Sequence, residues 1–139
     1  MNGMNVDVGV ILFVENIEKM VSFYKNIMEF DTDWDSGLWA EFKMKSGTLP
    51  LGMYDRKAFS EAINESYYPP KGINLTMEIG IWLPKFSDVD KEYERLTALG
   101  IKSITGEPET FSFGIRNFYI TDPEGNLLEI GSRENDMVE

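Results

Sequence analysis

ITDPEGNLLEI, residues 120–130, holds the end of one strand, a tight turn and most of a second strand. Asp122-Pro123-Glu124-Gly125-Asn126 is turn chemistry. Proline fixes φ, glycine supplies a left-handed position, and Asp and Asn side chains bond their own backbone. Leu127 to Gly131 then reads as the last strand and Ile115 to Thr121 as the one entering the turn. The two-residue period of a strand sorts their faces. Phe118, Ile120, Leu128 and Ile130 share an apolar side, opposite Asn117, Tyr119, Thr121, Leu127, Glu129 and Gly131. A stretch of similar form, KSGTLPLGM at 45–53, stands in the first half of the chain beside PEGNLLEIG at 123–131.

Upstream of this hairpin, Leu75 to Leu83 (LTMEIGIWL) reads as a strand broken by Pro84. Met77, Ile79, Ile81 and Leu83 alternate there with Glu78, Gly80 and Trp82. Ser87 is the expected cap of the next helix, with Asp90 at the third position. Val89, Tyr93 and Leu96 form its apolar face, Gly100 stops it, and Ile101 to Ile104 reads as a further strand.

The first half runs the same way. Val6 to Glu15 is the opening strand, with Gly9, Ile11 and Phe13 on one face and Val8, Val10, Leu12 and Val14 on the other. Asn16 caps a helix that buries Ile17, Met20, Val21, Tyr24, Ile27 and Met28. A weaker strand at Asp31 to Ser36 follows, then Gly37 to Met44, a turn at Lys45-Ser46-Gly47, and Thr48 to Tyr54. In those last two strands Trp39, Glu41 and Lys43, then Pro50, Gly52 and Tyr54, lie opposite Ala40 and Phe42, then Leu49, Leu51 and Met53. Both halves therefore read β-α-β-β-β. Module 1 covers about residues 6–55 and module 2 about 75–132. They are joined by a connection at about 56–74, with a short helix near Ala58 to Ile63, and followed by a polar tail at 133–139.

At 139 residues the chain suits a single domain with a real core, and 42% hydrophobic with 13% aromatic residues is too rich for disorder. Cysteine and histidine are both absent. The first absence excludes disulfides, thiolate metal sites and a cysteine nucleophile. The second removes the usual base at neutral pH, Ser-His-Asp chemistry and the commonest ligand for zinc or iron. A formal charge of −11 repels phosphate backbones and anionic lipid, so neither nucleic acid nor membrane is expected as a partner. The same charge also serves solubility alone. Met1 to Asp7 shows no secretory pattern, and the apolar run Val8 to Val14 is too short to span a bilayer, so a soluble cytoplasmic protein is expected.

FVENIEKMVSFYKNIMEF (13–30) and ITDPEGNLLEI resemble motifs of the vicinal oxygen chelate superfamily: glyoxalase I, bleomycin-resistance proteins and extradiol dioxygenases. LGMYDRKAFSEA, SDVDKEYERLTALGI and Phe113-Gly114 are similar to a glyoxalase-like bacterial subfamily of mostly unassigned function. The resemblance spans about residues 6 to 132. It implies an α+β fold of two βαβββ modules whose curved mixed sheets enclose a cavity, and a homodimer. It also implies metal ligands on the first and last strands of each half.

Matched one at a time, those ligand positions fall on Gly9, on Gly52 (or Leu51 if the register slips by one), on Glu78 and on Glu129. Only the last two carry donors. Two carboxylates and water suit Mg or Mn rather than Zn, Ni or Fe, so no metal cofactor is expected, with a weakly held divalent ion as the alternative. Phe13, Trp39, Tyr54, Trp82, Asn117 and Tyr119 are the expected ligand-binding residues, with Glu41, Glu78 and Glu129 as sparse polar contacts. Aromatic rings among carboxylates favour a flat or cationic ligand. The alternative is that the rings fill the concavity or a dimer contact and that Glu78 and Glu129 pair with Arg116 or Lys43. Three functions follow: a metal-free binder of a small aromatic or cationic molecule, a lyase or isomerase using Glu78 and Glu129 with a divalent ion, and an interaction or regulatory module.

Overall fold

The computed structural model describes Gly3, residues 8–44 and residues 50–134, in two compact units, Met1–Pro70 and Lys71–Glu139. The expected strand start at Val6, the turn at Lys45-Ser46-Gly47 with Thr48 and Leu49, and tail residues 135–139 lie outside the described residues.

The first unit contains β1 (Val10–Val14), α1 (Ile17–Ser22), β2 (Asp31–Thr32), β3 (Trp39–Lys43), β4 (Leu51–Asp55) and α2 (Arg56–Ala62). Its sheet has the order β1-β4-β3-β2, with β1 parallel to β4 and the other pairs antiparallel. Asn16 caps α1 as expected, its side chain accepting from the Lys19 N–H at 3.0 Å. The helix does not stay α-helical. From Phe23 to Ile27 it continues as a π-helical turn, in which the Met28 N–H reaches the Phe23 carbonyl. Met20, Val21, Phe23, Tyr24 and Met28 are all buried, a broader face than a 3.6-residue stripe provides. Tyr24 meets Phe42 and Phe30 with ring centroids at 5.9 and 5.7 Å, and Leu12, Val14, Leu51 and Met53 complete the core.

β2 is much shorter than the Asp31 to Ser36 strand expected from the sequence. The Thr32 hydroxyl explains the early end: it donates to the Glu41 carbonyl at 2.7 Å and accepts from the Trp34 N–H at 3.2 Å, turning the chain away from the sheet. The helix read near Ala58 to Ile63 is α2, capped by the Asp55 carboxylate on the Ala58 N–H.

The second unit contains β5 (Asn74–Trp82), α3 (Phe86–Ala98), β6 (Glu109–Thr110), β7 (Arg116–Thr121) and β8 (Asn126–Ser132). The sheet order β5-β8-β7-β6 repeats that of the first unit. Val89, Leu96, Phe118, Ile120, Leu128 and Ile130 form the core. Tyr93 of α3 meets Phe118 edge-on at 5.3 Å.

Three expectations need correction here. The cap of α3 is not Ser87: the helix starts at Phe86, and the Asp88 carboxylate accepts from the Lys85 N–H at 3.1 Å. Ile101 to Ile104 is not a strand. The Ile104 N–H bonds the Tyr119 carbonyl at 2.7 Å, and the Thr105 hydroxyl then takes the Tyr119 N–H at 3.1 Å, so a side chain replaces the next rung of the ladder. The strand that pairs with β7 is Glu109–Thr110 instead. Finally, the last strand does not end at Gly131: β8 runs through Ser132, and Arg133, read as part of the polar tail, lies against Trp82, as described below.

The turn of 122–126 forms as the sequence requires and does more. Asp122 accepts from the N–H groups of Glu124 and Asn126, and its other oxygen takes the Asn126 amide at 2.9 Å. Gly125 has φ +86°, and a Cβ there would lie 1.9 Å from the Gly72 carbonyl oxygen. The Gly125 carbonyl accepts from the Asn74 N–H at 2.7 Å, which pins the start of β5 beside β8. Among the described residues, no helix is long and apolar enough to cross a membrane.

Candidate functional site

Each sheet packs one face on α1 or α3; the opposite face, helix-free in the sense that neither of those helices covers it, is partly met by α2 in the first unit. Cross-strand partners share a face, so the strand registers define rows of neighbouring side chains. On the second unit these rows are Trp82–Gly131–Asn117, Gly80–Glu129–Tyr119 and Glu78–Leu127–Thr121. On the first they are Phe13–Tyr54–Trp39 and Ile11–Gly52–Glu41. The one-residue uncertainty at the end of the first half thereby resolves. Gly52 lies on the helix-free face with Glu41, and Leu51 is buried against the helices.

In the second unit the expected site residues come together. The Tyr119 hydroxyl donates to Glu78 Oε1 at 3.0 Å, and Asn117 Nδ2 donates to Glu129 Oε2 at 2.8 Å. Glu129 is only 7% exposed. Burial pushes its carboxyl above the ordinary range and the neighbouring Glu78 carboxyl adds to this, against a smaller opposing effect from Asn117 and Tyr119. Burial, then the two carboxyls, likewise push the Tyr119 phenol up, so it stays a donor. Among the described residues, neither glutamate pairs with Arg116 or Lys43, the alternative the sequence left open. Arg116 pairs with Asp90 at 2.6 Å and Lys43 with Asp33.

Trp82 rests against glycines: a Cβ at Gly80 would meet its Nε1 at 2.8 Å, and one at Gly131 its six-membered ring at 3.1 Å. The Arg133 guanidinium lies 4.2 Å from the ring centroid. Reading 133–139 as a uniform polar tail missed Arg133. The cue was its position just beyond the last strand, two residues past the partner of Trp82.

In the first unit the expected residues fall into one row but are partly occupied. Phe59 of α2 stacks on Phe13 at 4.2 Å and meets Tyr54 edge-on at 6.0 Å. Sequence reasoning missed Phe59 because it placed the helix in a connection. Trp39 stays 44% exposed, touching Tyr54 edge-on at 6.4 Å and lying over Gly52, where a Cβ would come within 2.6 Å of the indole. A cleft of about 300 Å³ opens beside it, lined by Asp33, Trp34, Asp35, Ser36, Trp39, Ala40, Glu41 and Lys43.

The four positions matched to chelating residues do not fit a tight metal site. Gly9 and Gly52 offer no side chain, and the indole of Trp39 occupies the space above Gly52. Glu78 and Glu129 are already held by Tyr119 and Asn117, and Glu129 retains its proton more readily than an ordinary carboxyl. Among the described residues, no three Asp or Glu side chains group as a metal centre.

Two curved four-stranded mixed sheets with three helices, in a repeated βαβββ order, define an α+β fold of the vicinal oxygen chelate type. The family model for the Glyoxalase/Bleomycin resistance protein/Dioxygenase superfamily matches residues 8–130, and the chain belongs to that superfamily. The phenazine antibiotic resistance protein EhpR of Enterobacter agglomerans is 28% identical over 122 residues, covering 86% of each chain. The uncharacterized protein YraH of Bacillus subtilis (strain 168) is 25% identical over 120 residues, 86% of this chain and 91% of its own. Among solved structures, a glyoxalase/bleomycin resistance protein/dioxygenase from Nocardioides superposes with a TM-score of 0.78 at 21% identity, covering 95% of this chain and 85% of that one. Lactoylglutathione lyase from Agrobacterium tumefaciens gives 0.74 at 20% identity, covering 96% and 98%. These last two likenesses establish the fold.

Proposed function

We propose that this protein binds a small aromatic or cationic molecule on its helix-free sheet faces without a chelated metal. The observation that carries the reading is that tryptophan rings are seated on glycines, one of them at a position matched to a chelating residue. Glycine at position 52 makes room for Trp39, glycines at 80 and 131 make room for Trp82, and the remaining carboxylates are held by hydrogen bonds. Apolar walls with few polar contacts are the composition of a small-molecule site. The similarity to EhpR, whose name ties it to resistance to a phenazine, a flat aromatic, supports the same class of ligand.

Tryptophan fluorescence titrated with phenazines and related flat heterocycles, with and without EDTA, tests the reading. Saturable quenching that EDTA leaves unchanged is expected. Binding that requires an added divalent ion would overturn it.

A second reading, a lyase or isomerase, is favoured by one feature: the raised pKa of Glu129, beside Glu78, suits a proton-transfer group. A divalent Mg or Mn ion held by Glu78 and Glu129 would have to displace the Tyr119 and Asn117 hydrogen bonds. Turnover lost in Glu129→Gln while the fold survives would select this reading over binding. A homodimer accompanies either one. Leu75 and Met77 stand exposed on the edge strand β5, and light scattering would read the dimer directly.

A further inference from the structure

The cleft beside β2 and β3 has a chemistry of its own, different from the carboxyl pair of the second unit. Its aromatic walls are Trp34 and Trp39. The loop that carries Trp34 is fixed rather than loose. The Thr32 hydroxyl ties the Trp34 N–H to the β3 backbone, and the Trp34 indole N–H donates to the Gly37 carbonyl at 3.2 Å. Trp39 is supported from below by Gly52, the one residue type that leaves space for it.

Around these rings stand three carboxylates, Asp33, Asp35 and Glu41, against one ammonium, Lys43. Lys43 is committed to Asp33 at 2.5 Å, and Asp35 accepts from Ser36 at 3.2 Å. Glu41 shares its face with Trp39, and its carboxylate has no hydrogen-bond or ion-pair partner among the described residues. An indole face attracts a cation, and a nearby free carboxylate supplies the counter-charge. A cavity of about 300 Å³ is at the small end for ligand sites, the size of a one- or two-ring compound.

We infer that this cleft is a binding site for a small flat organic cation, sandwiched against Trp34 and Trp39 with its charge directed to Glu41. The inference rests on the small-molecule reading above but commits it to one place and one sign of charge. The surplus of negative charge over the whole chain draws such a ligand toward the surface.

The test uses N-methylquinolinium and its neutral isostere quinoline at mildly alkaline pH, with calorimetry for affinity and tryptophan fluorescence for location. The cation is expected to bind about tenfold more tightly than quinoline, and Glu41→Gln to weaken it several-fold. Quenching should vanish in the double variant Trp34→Phe, Trp39→Phe, in which Trp82 is the one indole left of the chain's three. The same variant should lose at least about tenfold in affinity. Thermal unfolding checks that each variant is folded, and Glu41→Gln, an exposed substitution, keeps the test decisive if the double variant is not.

Equal binding of the cation and quinoline, or full affinity in Glu41→Gln, would overturn the inference. So would affinity and quenching that persist in the folded Trp34→Phe, Trp39→Phe variant, although small-molecule binding itself would then stand. Failure of both compounds to bind wild-type protein would overturn the inference too, while the phenazine titration decides the broader reading separately.

Discussion

The two units share an order of elements and a sheet topology, yet their helix-free faces have diverged. In the first, the row Phe13–Tyr54–Trp39 is aromatic and α2 adds Phe59 to it. In the second, the equivalent row is Trp82–Gly131–Asn117, and the row below it holds the buried Glu129 beside Tyr119. Gly52 and Glu129 occupy matching places, the row partners of Ile11 and Gly80 respectively. A glycine there admits a tryptophan ring; a glutamate there makes a hydrogen-bonded acid pair. One backbone therefore supports two chemistries, and at that register position they differ as glycine against glutamate.

The helix-facing sides are where the units should behave alike. Phe42 and Phe118 are each about 1% exposed and occupy the middle of their cores. Truncating either to alanine should cost about 3–5 kcal/mol in chemical denaturation. A loss in one unit well below that range would break the equivalence of the two cores.

The turn of the second unit is the next most sensitive feature. Gly125→Ala combines a positive φ with a contact of 1.9 Å to a backbone oxygen that has no easy escape. A loss of at least about 2 kcal/mol is expected. Gly52→Ala in the first unit meets only the far end of the Trp39 ring, which is half exposed and able to move. Its expected cost is about 1 kcal/mol, with a changed Trp39 emission, and it should largely vanish in a Trp39→Ala background. A cost that persists without Trp39 would show that Gly52 serves the backbone rather than the ring.

Glu129→Gln should give the smallest effect and a pH-dependent one. A native carboxyl with a raised pKa binds its proton more tightly than the unfolded chain does. The stability this confers is fully present below the ordinary value of 4.5 and is lost as pH rises through the native one. Glutamine carries no such charge, so the variant should gain on wild type as pH rises through that window, measured by thermal unfolding. A gap that instead favours wild type increasingly with pH would mean Glu129 is stabilised as the anion.

Much of this comparison could be read from the sequence because strands carry a period of two and turns a chemistry of their own. Asp122 to Asn126 define the hairpin, and alternation alone puts Glu78, Asn117, Tyr119 and Glu129 on one face. The misjudged parts lacked a local signature. The short β2 ends because Thr32 bonds a carbonyl nine residues ahead, a contact no window of the sequence contains. Phe59 and Arg133 sit outside the regular strands, and only the tertiary fold brings them onto Phe13 and Trp82. Ile101 to Ile104 had the composition of a strand, but Thr105 supplied a side-chain oxygen where a further backbone rung was expected.

The central claim is that these faces bind their ligand without a chelated metal. Its most direct test is elemental analysis of tag-free protein purified without chelator, repeated after dialysis against Mn, Mg, Zn and Ni. Metal at background in every case is the predicted result. About one ion per chain, lost in Glu78→Ala or Glu129→Ala, would contradict the account and make the carboxyl pair of the second unit a metal site.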